Sequence, residues 1–179
     1  MIWRGSIAAT VFLAGCASPV MTRIDSAAPV TIAASASFAL ADVPDDIAPE
    51  HAQARDMVVA GLRQRGWRVG DTPDYLLAVT LADRPANATL RAGDDAGRAV
   101  AVIAPAASRA NNKGCARRDH MLAITLSERT TGVIAYAGSA AEFHCKAQLT
   151  DSLPHLVSAA LDGLDRPSGP RQVERAGLR

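Results

Sequence analysis

HMLAITLSERTTGVIAYAGSAAEFHC, residues 120–145, is the stretch on which the fold turns. Leu122, Ile124 and Leu126 alternate with smaller or more polar residues, so that every second side chain points to one face of a strand. ERTTG interrupts the alternation and offers Gly132 for a left-handed turn position, after which VIAYAG resumes an extended pattern. A β-hairpin follows, with Glu128 or Arg129 facing Val133. Carried down the ladder, this register opposes His120 to about residue 140. It also brings Cys115 and Cys145 within one or two positions of each other, a difference that one bulge would close.

Upstream, DTPDYLLAVTLAD (71–83) supplies turn residues and then a run apolar on both faces, as suits a strand inside a sheet. Before it, PEHAQARDMVVAGLRQRGW (49–67) begins with Pro49 and Glu50, ends with Arg63, Arg65 and Gly66, and sets Ala54, Val58, Gly61 and Leu62 on one helical face. VTIAASASFALADV (30–43) reads as a strand, so strand, helix and strand form a crossover unit. Residues 84–117 are irregular, with AVAVIA at 99–104, and fit either an excursion from the sheet or an additional hairpin. In TDSLPHLVSAALDGL (150–164), Leu153, Leu156, Val157, Ala160, Leu161 and Leu164 form an amphipathic stripe, with Asp151 or Ser152 as cap and Pro154 in an early turn. The expected fold is α/β: a two-layer sandwich in which helices cover one face of a mixed sheet, in the order β-α-β-(irregular loop)-β-β-α.

The amino-terminal VFLAGCAS (11–18) follows Arg4 and an apolar core too short to span a bilayer. Leu13-Ala14-Gly15-Cys16 resembles the lipobox of bacterial lipoproteins, which implies cleavage after residue 15 and lipidation of Cys16; plain secretion by a small-x-small site is the alternative. With Ala17 rather than Asp after the cysteine, the resemblance implies the periplasmic face of the outer membrane. Several acyl chains make a lasting anchor. Residues 1–15 are then a signal peptide, 16–29 a flexible tether with two prolines, 30–164 the globular domain and 165–179 a disordered, weakly basic tail.

Of three cysteines, lipidation of Cys16 leaves Cys115 and Cys145 as an even pair for a structural disulfide in an oxidising compartment. A redox pair or free thiols are the alternatives, and no CxxC supports the former. Cys115, His120, His144 and Cys145 also invite a zinc reading. Adjacent strand residues face opposite sides, and His144 would lie roughly 13 Å beyond the partner of His120. The expectation is therefore no metal and two polar surface histidines.

A formal charge of +1 provides no field for nucleic acid. Outside the leader the aromatic residues are Phe38, Trp67, Tyr75, Tyr136 and Phe143, too few to suggest a base-stacking or glycan platform. No nucleophile elbow, P-loop, dinucleotide fingerprint or HExxH occurs. Asp42, Asp45 and Asp46, like Asp94 and Asp95, read as solvated turns rather than calcium loops.

Taken together, LAGC, the strand SFAL, the helix end LRQRGW, PDYLLAV, the hairpin around ERTTGVIAY and the final amphipathic helix resemble small bacterial envelope lipoproteins carrying a domain of unknown function of the four-one-three-six type. The resemblance implies a fold and an address and carries no catalytic residues or cofactor. The expected role is a non-enzymatic binding or structural module, anchored in the membrane by its lipid and meeting an envelope protein or peptidoglycan. The alternative is a periplasmic hydrolase with an unrecognised site near His120 and the irregular segment.

Overall fold

A computed structural model describes residues 19–33, 35–43, 47–86, 88–93, 99–104, 117–145 and 147–177, with the backbone course alone for 90–93 and 99–104. In chain order the elements are β1 (Val20–Ala27), β2 (Ser37–Leu40), α1 (Pro49–Gln64), β3 (Arg68–Val69), β4 (Tyr75–Pro85), β5 (Leu90–Gly93), β6 (Ala99–Ala104), β7 (Arg118–Glu128), β8 (Ile134–His144), α2 (Leu149–Asp162) and β9 (Arg171–Arg175). Seven strands form one mixed sheet in the order β3-β2-β4-β7-β8-β1-β9, and β5 pairs with β6 in a separate hairpin. Strand β2 is parallel to β3 and β4, as the strand-helix-strand unit requires, whereas the other pairs are antiparallel.

The helices lie on one face. Ala54, Val58 and Leu62 of α1 and Leu153, Leu156, Val157, Ala160 and Leu161 of α2 share a core with Phe38, Leu77, Val79, Leu122, Ile124, Leu126 and Tyr136. Trp67 closes the end of this core between Phe38 and Tyr75, at ring separations of 6.3 Å and 5.9 Å. Gly138 lets α2 approach β8, because a Cβ there would collide with the Tyr136 hydroxyl and the Ala160 carbonyl. The α/β two-layer architecture is therefore as expected, and no described helix is long and apolar enough to cross a membrane.

Several boundaries differ from expectation. The supposed tether contains β1, an inner strand paired to both β8 and β9. Its inward residues are Thr22, Ile24 and Ser26, so the period-two signal is hydroxyl rather than hydrocarbon. The supposed disordered tail contains β9, whose ladder with β1 runs from Val20↔Arg175 to Ile24↔Arg171. The long strand expected over 30–43 is confined to Ser37–Leu40. Strands β5 and β6 make the irregular segment partly a hairpin. Gln148, rather than Asp151 or Ser152, is the N-cap of α2, and Asp151 reaches back to its amide to complete a capping box.

The central hairpin forms with Gly132 at φ +71° and the Glu128 amide donating to the Val133 carbonyl at 2.8 Å. A register shift follows: Ser127 faces Ile134, but Leu126 faces Tyr136, leaving Ala135 as the extra residue of a bulge. The bulge displaces the ladder toward the carboxyl end of β8. His120 faces Glu142, two residues from the expected position, of which the bulge accounts for one.

Candidate functional site

At one end of the sheet the inward-facing positions change from hydrocarbon to polar groups. Leu81, Leu122, Ala140 and Ile24 lie directly opposite one another across β4, β7, β8 and β1. Two residues farther along each strand, the corresponding row is Asp83, His120, Glu142 and Thr22. Because side chains alternate, this row shares the helical face of the sheet. Four polar groups thus sit where the apolar core stops.

Glu142 is fully buried and saturated with donors: Thr22 Oγ1 at 2.6 Å, Arg175 Nε at 2.7 Å and Nη2 at 2.5 Å, and His144 Nε2 at 2.8 Å. Burial pushes its carboxyl up, but the bonds from His144, Arg175 and Thr22 outweigh that and hold it at about 2. The ion pair joins β8 to β9 with β1 between them. On the opposite face, Asp119 is likewise buried and paired with Arg23 at 2.5 Å and Arg84 at 3.1 Å, while Arg23 lies over the Phe143 ring at 4.0 Å.

His120 and His144 are buried and stacked, with ring centroids 4.9 Å apart, rather than separate polar surface residues. The shift of register places His144 opposite Arg118, one diagonal step from His120. The hydrogen-bond chain fixes the tautomer of His120: Ser152 Oγ gives its only proton to the Leu149 carbonyl at 2.9 Å, so His120 Nδ1 must donate to Ser152 Oγ across 2.7 Å. Burial, reinforced by His144 and Arg118 and opposed by Asp83 and Glu142, lowers the His120 pKa. At neutral pH, Nε2 therefore bears a lone pair. Among the described residues it has no hydrogen-bond partner, although Asp83 Oδ1 stands 3.6 Å away.

The His120 ring borders a cleft of about 580 Å³ lined by Glu50, Asp83, Arg118, His120, Cys145 and residues 147–150. Arg118 donates to the Asp83 carboxylate through Nε at 2.5 Å and to the Asp83 carbonyl at 3.0 Å. The first turn of α2 also lines the cleft, with Leu149 and Thr150, whose amides precede the first intrahelical bonds.

Ser152, His120 and Asp83 line up as a serine hydrolase would use them, but in reversed order. The carboxylate is on the open side, and the hydroxyl is fully buried with its proton committed to a carbonyl. A nucleophile must reach substrate, and here the serine lies behind the ring.

Of the cysteines, Cys145 borders the cleft and is disulfide-bonded, so its sulfur is not a free nucleophile. Cys16 and Cys115 lie outside the described residues, as do Asp45, Asp46, Asp94 and Asp95. Among the described residues, no group of three or more His, Cys, Asp or Glu is placed to hold a metal ion. Sequence reasoning singled out His120 but missed Asp83, Glu142, Thr22 and Arg175. A signal existed: Asp83, His120 and Glu142 each occupy the inward phase of a strand whose members toward the middle of the sheet are apolar or small.

No family model and no curated protein matches the chain. Among solved structures, the fold is similar to that of a PDZ domain protein from Parabacteroides distasonis, with a TM-score of 0.60 and 10% identity over 87% of this chain and 38% of that one. The chain thus spans well under half of that protein's length. Two structures of the PelC dodecamer from Paraburkholderia phytofirmans give TM-scores of 0.46 and 0.48, with 11% and 9% identity, over 80% of this chain and 96% and 97% of theirs. At these identities the PDZ-protein likeness is one of fold alone.

Proposed function

We propose that the chain is an envelope lipoprotein, anchored through Cys16 at the periplasmic face of the outer membrane, whose domain binds an envelope component without chemically altering it. The observation that carries the binding role is the cleft beside His120. It is bordered by a buried imidazole whose Nε2 keeps an unshared lone pair, while the neighbouring Ser152 has its proton committed to the Leu149 carbonyl and Cys145 is committed to a disulfide. Pairing of Cys145 with Cys115, as the spacing suggests, suits an oxidising compartment. The LAGC lipobox supports the anchor.

Intact mass spectrometry of membrane-extracted protein tests the address: the expected species begins at acylated Cys16 and gains two hydrogens on reduction, and Cys16→Ser moves the protein to the aqueous fraction. An unlipidated wild-type chain would overturn the anchor. The Ser152-His120-Asp83 alignment gives the hydrolase reading its one foothold. Turnover of an ester, peptide or glycan panel that is abolished in Ser152→Ala would establish it in place of binding.

A further inference from the structure

The cleft is lined by two chemically different sets of groups. Glu50, Asp83 and His120 Nε2 provide hydrogen-bond acceptors, two of them anionic. Leu149 and Thr150, at the start of a 14-residue helix, provide amides without intrahelical acceptors and the positive end of the helix dipole. The capping box already uses the Gln148 and Asp151 amides, so these two are the ones left to face a ligand. A buried nitrogen left without a partner carries a desolvation cost that a ligand donor would remove.

We propose that this cleft binds a zwitterionic amino-acid group, a free ammonium beside a carboxylate as found in a single amino acid or at a peptide branch point. The ammonium donates to His120 Nε2 and to the Glu50 and Asp83 carboxylates. The carboxylate accepts from the Leu149 and Thr150 amides. Each group meets its opposite, and the bond to His120 satisfies the one unpaired buried nitrogen of the row. Arg118, which also lines the cleft, pairs with the Asp83 carboxylate and leaves Glu50 as the carboxylate with no cation bonded to it among the described contacts. The inference rests on reading the cleft as a binding site rather than a catalytic one.

The test is nitrogen-15 NMR of the full chain with three probes: alanine, methylammonium and acetate. Alanine is expected to move both the His120 ring Nε2 and the Leu149 and Thr150 amides, and to bind more tightly than either half-molecule. Glu50→Gln, a change at a half-buried helix position, should weaken alanine about tenfold, the loss of one charge-assisted contact, and leave acetate unaffected. Perturbation by acetate alone, by methylammonium alone, or by no probe overturns the proposal, whereas the anchor and the binding role are judged separately by the mass and turnover measurements. Hydrolysis of dialanine with the same residues perturbed would support the zwitterion site and refute its non-catalytic use.

Discussion

Arg175 lies in the segment that composition marks as a disordered tail, and replacing it with methionine tests whether the segment belongs to the fold. Its guanidinium makes two bonds to a carboxylate that is fully buried, and it is itself 15% exposed. Removing one partner of a buried pair costs about 3–5 kcal/mol because the other charge is stranded. Here Thr22 and His144 still donate to Glu142, and methionine keeps much of the apolar stem, so the lower end, about 3 kcal/mol, is expected at neutral pH. The effect must depend on pH. A carboxyl whose pKa falls from 4.5 to about 2 on folding contributes stability on the order of 3 kcal/mol above its unfolded value, lost as pH falls from 4.5 toward 2. Arg175 supplies part of that depression, so the gap between wild type and Arg175→Met should narrow below about pH 4.5. Urea unfolding followed by the fluorescence of buried Trp67 measures both quantities. Adding Glu142→Gln should recover about 1–2 kcal/mol, since removing both charges is cheaper than removing one. A loss under about 0.5 kcal/mol at pH 7, or one that does not change with pH, would refute the buried pair.

Ending the chain at Gly169 removes β9 and uncovers the edge of β1, so the unfolding midpoint should drop at least as far as in Arg175→Met and the protein should self-associate; an unchanged midpoint and a monomeric elution profile would contradict the seven-strand sheet. Gly138→Ala should cost about 2–3 kcal/mol or more, because its Cβ meets the Ala160 carbonyl as well as the Tyr136 hydroxyl, and a midpoint within error of wild type would show that α2 does not pack this closely. His120 has a folded pKa below 6.5, so the unfolded chain protonates first and stability is lost as pH falls below about 6.5. With His144, Asp83, Arg118 and Glu142 as the charged or titratable groups facing it, His120→Gln should flatten the stability profile below about pH 6.5, and an identical slope in the variant would assign that proton elsewhere.

The parts of the fold legible in the sequence are those stabilised by hydrocarbon. The alternation of Leu122, Ile124 and Leu126 and the stripe from Leu153 to Leu161 correspond to buried residues. The crossover from β2 through α1 to β4 follows from the same kind of signal. What escaped was organised by hydrogen bonding. Strand β1 turns Thr22 and Ser26 inward, where they meet Glu142 and the Ser168 amide, and β9 contributes a charged edge. Neither contains the apolar period on which strand recognition depends. The histidines were misplaced for a different reason: the partner expected for His120 lay two residues short of Glu142, one of them owed to the bulge at Ala135, and the turn sequence does not reveal on which strand an extra residue falls.

The presence of β1 also changes what the proposed anchor would do. A tether running to residue 29 would let the domain wander over tens of ångströms, but β1 starts at Val20. Only the link from Cys16 to Val20 would then separate lipid from sheet, a reach of at most about 14 Å. The end of β1 so tethered is the one bearing Thr22, the strand's contribution to the row that continues through Glu142 and His120 to Asp83. The cleft would therefore lie at the membrane-proximal end of the domain. A ligand group reaching it would have to approach the inner surface of the outer membrane. Anchor and cleft thus restrict each other.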